Sequence, residues 1–323
     1  MNDSCVDCPT YTFTALNACV LVIYILLMIF IVGGNILTII AIVKTEVLRT
    51  VANVYVTLLA FSDIIAGLAL PLQMVYEFPE GRHELDENKS LCLGRHVVFF
   101  FSISLSLCSI VVIAFDRAVF IGFPYVYNRI ATCKQAVIVA CICMIIAVVD
   151  GTVTLYDNNW QPYESCTVET VLSWRYQLYG QVIPIMICFF LAGACYGYIF
   201  YIAKKHQKSI MSVQKNAKVA NDMQIIKVLF LIYGIFLLCW MPVILYIILV
   251  RFFEIPVLVL NITLPIAVLN SGMNFIIYAV KNKDYRKAFK EILHLDCTLK
   301  RTAKVTPQKT NDIATATSDN KMN

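Results

Sequence analysis

Charged residues are scarce in this chain of 323 residues: only 15% are Asp, Glu, Lys or Arg, whereas 59% are hydrophobic. The mean hydropathy of +0.74 is correspondingly high. These values exclude a water-soluble globular domain, because such a domain could not bury so much apolar surface. The net charge of +5 does not indicate a nucleic-acid partner, since it is the charge expected for the cytoplasmic face of a membrane protein.

Internal repeats and a basic leader are lacking as well. No residue before Lys44 is basic, so we do not expect the first apolar segment to be a cleaved signal peptide. Transporters tend to show inverted repeats and Gly- or Pro-interrupted helices with charges at the midplane. A membrane transporter is therefore kept only as an alternative function.

The chain has instead seven long apolar segments. Each approaches or exceeds the roughly 20 residues that cross a hydrocarbon core about 30 Å thick. Backbone polar groups inside lipid need internal partners, so such segments predict helices rather than barrel strands. The segments fall at residues 17–43, 52–77, 92–121, 135–156, 176–203, 223–250 and 256–280. The sequence thus predicts an all-α membrane protein, a seven-transmembrane helix bundle with a short amphipathic eighth helix.

The basic residues predict the orientation of this bundle. If the N-terminus lies outside, 21 of the 26 Lys and Arg residues fall on the cytoplasmic side, as the positive-inside rule requires. We therefore expect a multi-pass protein of the plasma membrane. Its expected parts are an extracellular N-terminus (1–16), a transmembrane domain (17–281), an amphipathic helix (282–297) and a disordered cytoplasmic tail (298–323).

Two of the 13 cysteines stand apart from the rest. Many of the others lie within apolar segments, where cysteine behaves as a small buried hydrophobe. Cys92 opens the third segment and Cys166 lies between the fourth and fifth, so both face the oxidising side, where a disulfide persists. We predict a bond between them, with Cα atoms about 4.4 to 6.8 Å apart.

Short polar motifs recur at defined places in the segments. They are Gly34-Asn35, Leu59 to Asp63, Asp116-Arg117-Ala118, Cys239-Trp240-Met241-Pro242, Asn270-Ser271 and Asn274 to Tyr278. Together, from Gly34 to Phe289, they resemble the rhodopsin-like (class A) G-protein-coupled receptors. The resemblance implies a receptor rather than an enzyme, which binds an extracellular ligand and activates heterotrimeric G proteins. Its further implied partners are arrestin-type regulators and membrane lipids.

The same resemblance implies a switch at the cytoplasmic side. Arg117 and Asp222 are similar to the two halves of a resting-state latch, although two solvated charges are the alternative. Pro242 removes a helical hydrogen bond and supplies a kink, and Trp240 beside it is either a ligand-sensing trigger or an ordinary core aromatic. The implied switch residues are Asp116, Arg117, Asp222, Trp240, Pro242, Asn274 and Tyr278.

Asp63 is a carboxylate in the middle of a membrane segment, where a bare charge costs at least about 3 kcal/mol. It should therefore have partners. The resemblance implies an allosteric sodium ion held with Ser106, Asn270 and Asn274, and it implies no other metal or cofactor. The alternative is a protonated Asp63 that is hydrogen-bonded to Asn35 and Asn274.

The ligand is less well indicated. Short stretches of the sequence are most similar to the adenosine and amine-type receptors, but Phe99 stands where amine receptors have an aspartate. An apolar pocket is expected, and it suits a small molecule, a lipid or a peptide. Its predicted lining is Phe99, Phe100, Ile103, Asp150, Glu169, Trp240, Ile244 and Val268.

Asp150 is the most informative residue of that lining, because an acid inside a membrane segment is a functional-site hypothesis by default. The alternative is a carboxyl group that snorkels outward, or a neutral one that is bonded to Thr152 or Thr154. Ala118 and Phe275 depart from the family pattern, which has a tyrosine and a proline at these places. These departures leave open the alternative that the chain is a receptor-like scavenger, which binds ligand without coupling to a G protein.

Covalent modification is predicted at three places. Asn2 and Asn88 begin N-x-[ST] sequences on the outer side and are candidate glycosylation sites. Cys297 follows the amphipathic segment and is a candidate for lipidation.

The proposed latch gives a first testable prediction. Asp222→Asn should raise ligand-independent signalling, because it removes the carboxylate that would restrain Arg117. The measurement is second-messenger output at matched surface expression, and an unchanged basal output would show that the latch does not restrain the receptor.

Overall fold

The computed structural model of the protein describes residues 15–75, 78–210 and 217–294. These residues are mostly helical, and an isolated β-bridge joins Asn158 and Leu172. The helices are α1 (Ala15–Lys44), α2 (Val51–Val75), α3 (Pro79–Glu87), α4 (Lys89–Gly122), α5 (Pro124–Ile130), α6 (Cys133–Val153), α7 (Val168–Val171), α8 (Ile183–Ile210), α9 (Ala217–Leu249), α10 (Val257–Lys281) and α11 (Lys283–Ile292). A 3-10 turn, Glu46–Leu48, follows α1, and a π-helical segment, Tyr176–Val182, leads into α8.

Six of the described helices are long and apolar enough to cross a membrane: α1, α2, α4, α6, α8 with its π-helical segment, and α10. A seventh apolar stretch, Tyr233–Leu249, lies within α9. The outer faces carry large apolar side chains, such as Ile145 and Leu238, that are exposed where lipid would contact them. The predicted seven-helix bundle is confirmed, and the protein is a multi-pass membrane protein.

The order of packing places α4 at the centre of the bundle. It contacts α2, α6 and α8, whereas α1 packs against α2 and α10, and α9 joins α8 to α10. Because α4 has 34 residues and a helix rises 1.5 Å per residue, its side chains reach both ends of the bundle.

The short helix α11 is amphipathic and lies at the end of the bundle where α1 and α10 end. The Asn282 side chain caps it by accepting hydrogen bonds from the backbone amides of Asp284 and Tyr285. Tyr285 and Phe289 are buried in a cluster with Ile42 from α1. The predicted sites Asn2 and Cys297 and the predicted tail lie outside the described residues, as does the side chain of Asp222.

Phe275 occupies the place of the family's proline and packs against α1. A Cβ atom built on Gly34 would overlap the Phe275 ring, and the Phe30 ring meets Phe275 edge-on with 5.0 Å between centroids. A side chain at residue 34 is therefore incompatible with this contact between α1 and α10.

We expect Gly34→Ala to lower the free energy of unfolding by about 1 to 3 kcal/mol, because the Phe275 ring must move to admit the methyl group. Gly33→Ala is the matched control, since a Cβ there meets no atom within 4 Å. It should be neutral or stabilising by up to about 1 kcal/mol. Thermal unfolding of the purified protein measures both, and Phe275→Ala should rescue Gly34→Ala. Equal stability of the two glycine variants would contradict the close packing.

Candidate functional site

A cavity of about 270 Å³ lies toward the end of the bundle where α4 begins, among α4, α6, α8, α9 and α10 and beneath α7. It is lined by seven of the eight residues that the sequence predicts: Phe99, Phe100, Ile103, Asp150, Glu169, Trp240 and Ile244. Apolar surface predominates in the lining, as in most small-molecule sites. The structure therefore brings these side chains together in one pocket.

Val268 is the exception among the predicted lining residues. It does not line the cavity but is buried in a cluster with Ile31 of α1 and Leu70 of α2. Its neighbour one turn away, Leu264, does line the cavity. The orientation of α10 about its axis therefore leaves Val268 behind the cavity wall, in a cluster that also contains Phe99 and Phe100. Spacing along the sequence alone does not determine that orientation.

The floor of the cavity is Trp240, which lies two residues before Pro242 in α9. Its indole is buried, and its Nε1 has no hydrogen-bond partner among the described residues. The Phe236 ring lies 6.4 Å below it, centroid to centroid, and Phe189 of α8 meets Phe236 edge-on at 5.0 Å. A ligand in the cavity would therefore rest on an aromatic column that joins α8 and α9.

Several polar residues of the lining were not predicted from the sequence. They are Gln73, His96, Ser104, Gln177, Gln181 and Tyr246. Gln177 and Gln181 belong to the π-helical segment Tyr176–Val182, and such segments are frequent at functional sites. The two glutamines stand four residues apart in an otherwise apolar region, and that spacing is the one signal that could have indicated a shared face.

Asp150 lies near the outer end of α6 and turns inward to the cavity, where the Ser104 hydroxyl of α4 interacts with its carboxyl group. Thr152 and Thr154 do not bind it, because their hydroxyls donate to the backbone carbonyls of Val148 and Gly151. The alternative in which these threonines satisfy Asp150 is therefore wrong. The Tyr176 phenol donates to the backbone carbonyl of Asp150, at 3.1 Å, and holds this end of α6.

The loop that carries α7 covers the cavity. A disulfide joins Cys92 at the start of α4 to Cys166, with Cα atoms 5.9 Å apart, so the predicted bond is confirmed. Three residues beyond Cys166, the Tyr246 phenol of α9 donates to the Glu169 carboxylate. The Gln177 amide donates to the carbonyl of Leu172 at 2.9 Å. These bonds hold the loop over the pocket from three sides.

Behind the disulfide, Asp86 of α3 accepts a hydrogen bond of 2.6 Å from the Cys166 backbone amide. Arg95 donates to the Cys166 carbonyl from the other side. His96 lies close enough to Cys92 and Cys166 to suggest a metal site, but both thiols are consumed by the disulfide. The role of this cluster is therefore to position the loop.

A buried polar centre lies between the cavity and the opposite end of the bundle, where α4 ends. The Asn274 amide donates to Asp63 Oδ2 at 2.9 Å, and Ser106 and Ser271 interact with the same carboxyl group. The Asn35 amide donates to the carbonyls of Ile31 and Ser271 rather than to Asp63. Asp63 Oδ1 is buried without a partner among the described residues.

Asn270 is also buried, one turn before Asn274 on α10. A free carboxylate oxygen with hydroxyl and amide neighbours fits a small hard cation, which prefers oxygen ligands. Asp63, Ser106 and Asn274 are therefore suited to hold such an ion.

At the inner end of α4, Arg117 is paired with its neighbour Asp116, and its Nε lies 2.9 Å from the carboxylate. The Tyr127 phenol of α5 donates to the other carboxylate oxygen at 3.0 Å. The guanidinium also lies over the Phe120 ring, 5.1 Å from its centroid. Asp116 thus holds Arg117 in the structure, whereas the partnership with Asp222 stays a prediction.

Tyr278 ends this inner cluster on α10. Its ring stacks on Tyr285 of α11 with 5.0 Å between centroids, and the Tyr285 phenol donates to the Asn53 side chain at 3.0 Å.

Asn88, a predicted glycosylation site, is exposed. Its Oδ1 accepts hydrogen bonds from the backbone amides of Ser90 and Leu91, so it is the N-cap of α4.

Comparison with known proteins bears on this arrangement. The family model described as 7 transmembrane receptor (rhodopsin family) matches residues 34–278. The chain is 26% identical to the dog adenosine receptor A2a, over 80% of this chain and 68% of the relative. It is 23% identical to the zebrafish melatonin receptor type 1B-B (80% and 77%) and 26% identical to the mouse melanocortin receptor 5 (80% and 79%).

The buried Asp86 gives a prediction about pH. Burial is the main cause that raises the pKa of this carboxyl group above its ordinary value, despite the Cys166 amide and nearby arginines. A raised folded-state pKa means that the contribution of Asp86 to stability is present at acid pH and is lost as pH rises through that pKa. Asp86→Asn keeps an acceptor for Cys166 but carries no charge.

We therefore expect the difference in unfolding temperature between Asp86→Asn and the wild type to shift in favour of the variant as pH rises. The shift should occur between about pH 4, the ordinary carboxyl pKa, and neutral pH. Glu84→Gln, an exposed change on the same helix, is the control, and its thermal stability should follow that of the wild type across this pH range. Parallel curves for Asp86→Asn would contradict the assignment.

Proposed function

Since the chain belongs to the rhodopsin family of seven-transmembrane receptors, we propose that it is a G-protein-coupled receptor of the plasma membrane. In this proposal its N-terminus is outside, an extracellular ligand enters the cavity above Trp240, and a heterotrimeric G protein binds at Arg117. The family is one of receptors, so the chain is not an enzyme.

The observation that carries the proposal is the division of α4 into two functional ends. Phe99 faces the ligand cavity, whereas Arg117 stands 18 residues later at the inner end. At 1.5 Å per residue the two are about 27 Å apart, close to the thickness of the hydrocarbon core. A movement of α4 or α9 at the cavity therefore reaches the far side of the membrane.

In this proposal the resting state is stabilised by the charge cluster of Asp116, Arg117 and Tyr127. Asp116 neutralises Arg117, and Tyr127 fixes the carboxylate from the loop helix. Burial raises the pKa of Tyr127 to about 12, so this phenol stays protonated and continues to donate near neutral pH. Activation would require Arg117 to leave Asp116 and face a G protein.

Sodium is proposed as an allosteric ion at Asp63. The free Oδ1 atom, with Ser106 and Asn274 beside the carboxyl group, supports this assignment. Chemically, the ion would neutralise a buried carboxylate whose bare charge costs several kcal/mol in a membrane. Asn270 is kept as a member of the site by resemblance alone.

Regulation follows the family pattern in this proposal. Arrestin-type proteins would bind the cytoplasmic tail, Asn2 and Asn88 would carry glycans, and Cys297 would carry a lipid. Membrane lipids would contact the exposed apolar faces of the bundle.

A second candidate is a scavenger that binds ligand without coupling. It is favoured by the Phe275 ring, which packs on Gly34 and Phe30 where the family has a helix-bending proline. Tight packing of α10 against α1 would raise the barrier to its movement.

Coupling is tested with substitutions at the inner cluster. Asp116→Asn should raise ligand-independent G-protein activation, because it removes the charge that holds Arg117, and Arg117→Ala should abolish it. Glu46→Gln, an exposed change on the same side, is the control. The measurement uses cells that express a panel of chimaeric G proteins, at matched surface expression. Output equal to that of untransfected cells for every variant would favour the scavenger.

A further inference from the structure

The cavity has an acidic corner that the proposed function leaves unassigned. Asp150 of α6 faces Ser104 of α4 there, and Gln181 of the π-helical segment also lines the cavity. Three helices thus contribute one polar group each to a pocket that is otherwise mostly apolar.

No Lys or Arg lines the cavity among the described residues, and the one histidine of the lining, His96, has its Nδ1 at the Cys92 carbonyl. The two carboxylates of the cavity differ in their surroundings. Glu169 accepts a hydrogen bond from the Tyr246 phenol, whereas Asp150 faces the single hydroxyl of Ser104. A carboxylate within apolar walls needs a stronger partner than one hydroxyl, and no Lys or Arg of the lining supplies it.

Gln181 provides a second and independent observation. Its side chain is only 6% exposed, and its Nε2 has no hydrogen-bond partner among the described residues. Buried amide donors are rarely left unpaired. A ligand oxygen or aromatic face placed beside Gln181 would satisfy this donor.

The walls set the size and the character of the ligand. Phe99 and Phe100 meet edge-on at 5.5 Å between centroids, and Trp240 closes the floor. Aromatic faces attract both apolar groups and cations. A cavity of about 270 Å³ is slightly smaller than the range of about 300 to 1,000 Å³ that is typical of ligand sites, so it suits a compact molecule.

We propose that Asp150 is the counter-ion of a small amine ligand, whose ammonium group lies between Asp150 and Ser104 and whose apolar body packs on Phe99, Phe100 and Trp240. The proposal rests on the proposed function, because it names the ligand class of the same cavity. The ammonium donates to the carboxylate, and Gln181 donates to an acceptor on the ligand. The anchoring acid stands on α6 and not at residue 99 of α4.

The experiment measures binding separately from coupling. The full-length receptor in detergent is titrated with 2-phenylethylamine and with 2-phenylethanol, its neutral counterpart, and binding is read from thermal stabilisation. We expect the amine to bind the wild type more tightly than the alcohol. Asp150→Asn should weaken the amine about 10- to 100-fold, as for the loss of a charged hydrogen bond, and should change the affinity for the alcohol by less than about threefold.

Two further variants keep the result interpretable. Asp157→Asn removes a carboxylate that lies in the outer loop and 3.8 Å from Arg175, outside the cavity lining, and should leave the affinity for the amine unchanged. Asp150→Glu retains the charge and should retain the preference for the amine. This variant separates the effect of losing the charge from an effect of the substitution on folding.

Equal affinity of wild type and Asp150→Asn for the amine would overturn the proposal. So would tighter binding of the alcohol, or the absence of stabilisation by the amine at millimolar concentration. Failure of coupling is seen separately, because the amine would then stabilise the wild type while G-protein output stays absent.

Discussion

The hydrocarbon core offers no water to a polar group, and the rest of the structure follows from that constraint. Hydroxyl groups inside the bundle turn back to their own helix: Thr38, Ser62 and Ser109 each donate to a carbonyl three or four residues earlier. Such bonds satisfy the side chain without any tertiary partner. The carboxylates cannot do so and find partners on other helices: Asp63 accepts from Asn274, Asp150 faces Ser104, and Asp116 accepts from Tyr127.

This constraint explains which features could be predicted from the sequence. Helix spans follow from apolar length, and the disulfide follows from two cysteines on the oxidising side. Phe99 and Ile103 share a face because they are four residues apart. Val268 was misplaced because its environment depends on the rotation of α10 against α1 and α2, and that rotation is set by tertiary packing.

The polar lining was missed for a related reason. Gln177 and Gln181 reach the cavity through a π-helical segment, and a π-helical turn shifts the phase of the residues that follow it. A tertiary contact stabilises this segment, since Tyr176 donates to the Asp150 carbonyl. Within the segment, a Cβ at Gly180 would lie 2.6 Å from the Tyr176 ring. A side chain at residue 180 would therefore displace this ring. The α6 contact and the polar corner of the cavity depend on the same tyrosine.

Phe275 shows how one residue alters the balance between stability and switching. A proline would remove a backbone donor and bend α10, whereas Phe275 retains the donor and places its ring against Gly34 and Phe30. The buried contact stabilises the resting position of α10, close to Asn274 and hence to Asp63. Any active state that moves α10 must break this aromatic contact. The free energy for that step has to come from ligand binding in the cavity or from G-protein binding at Arg117.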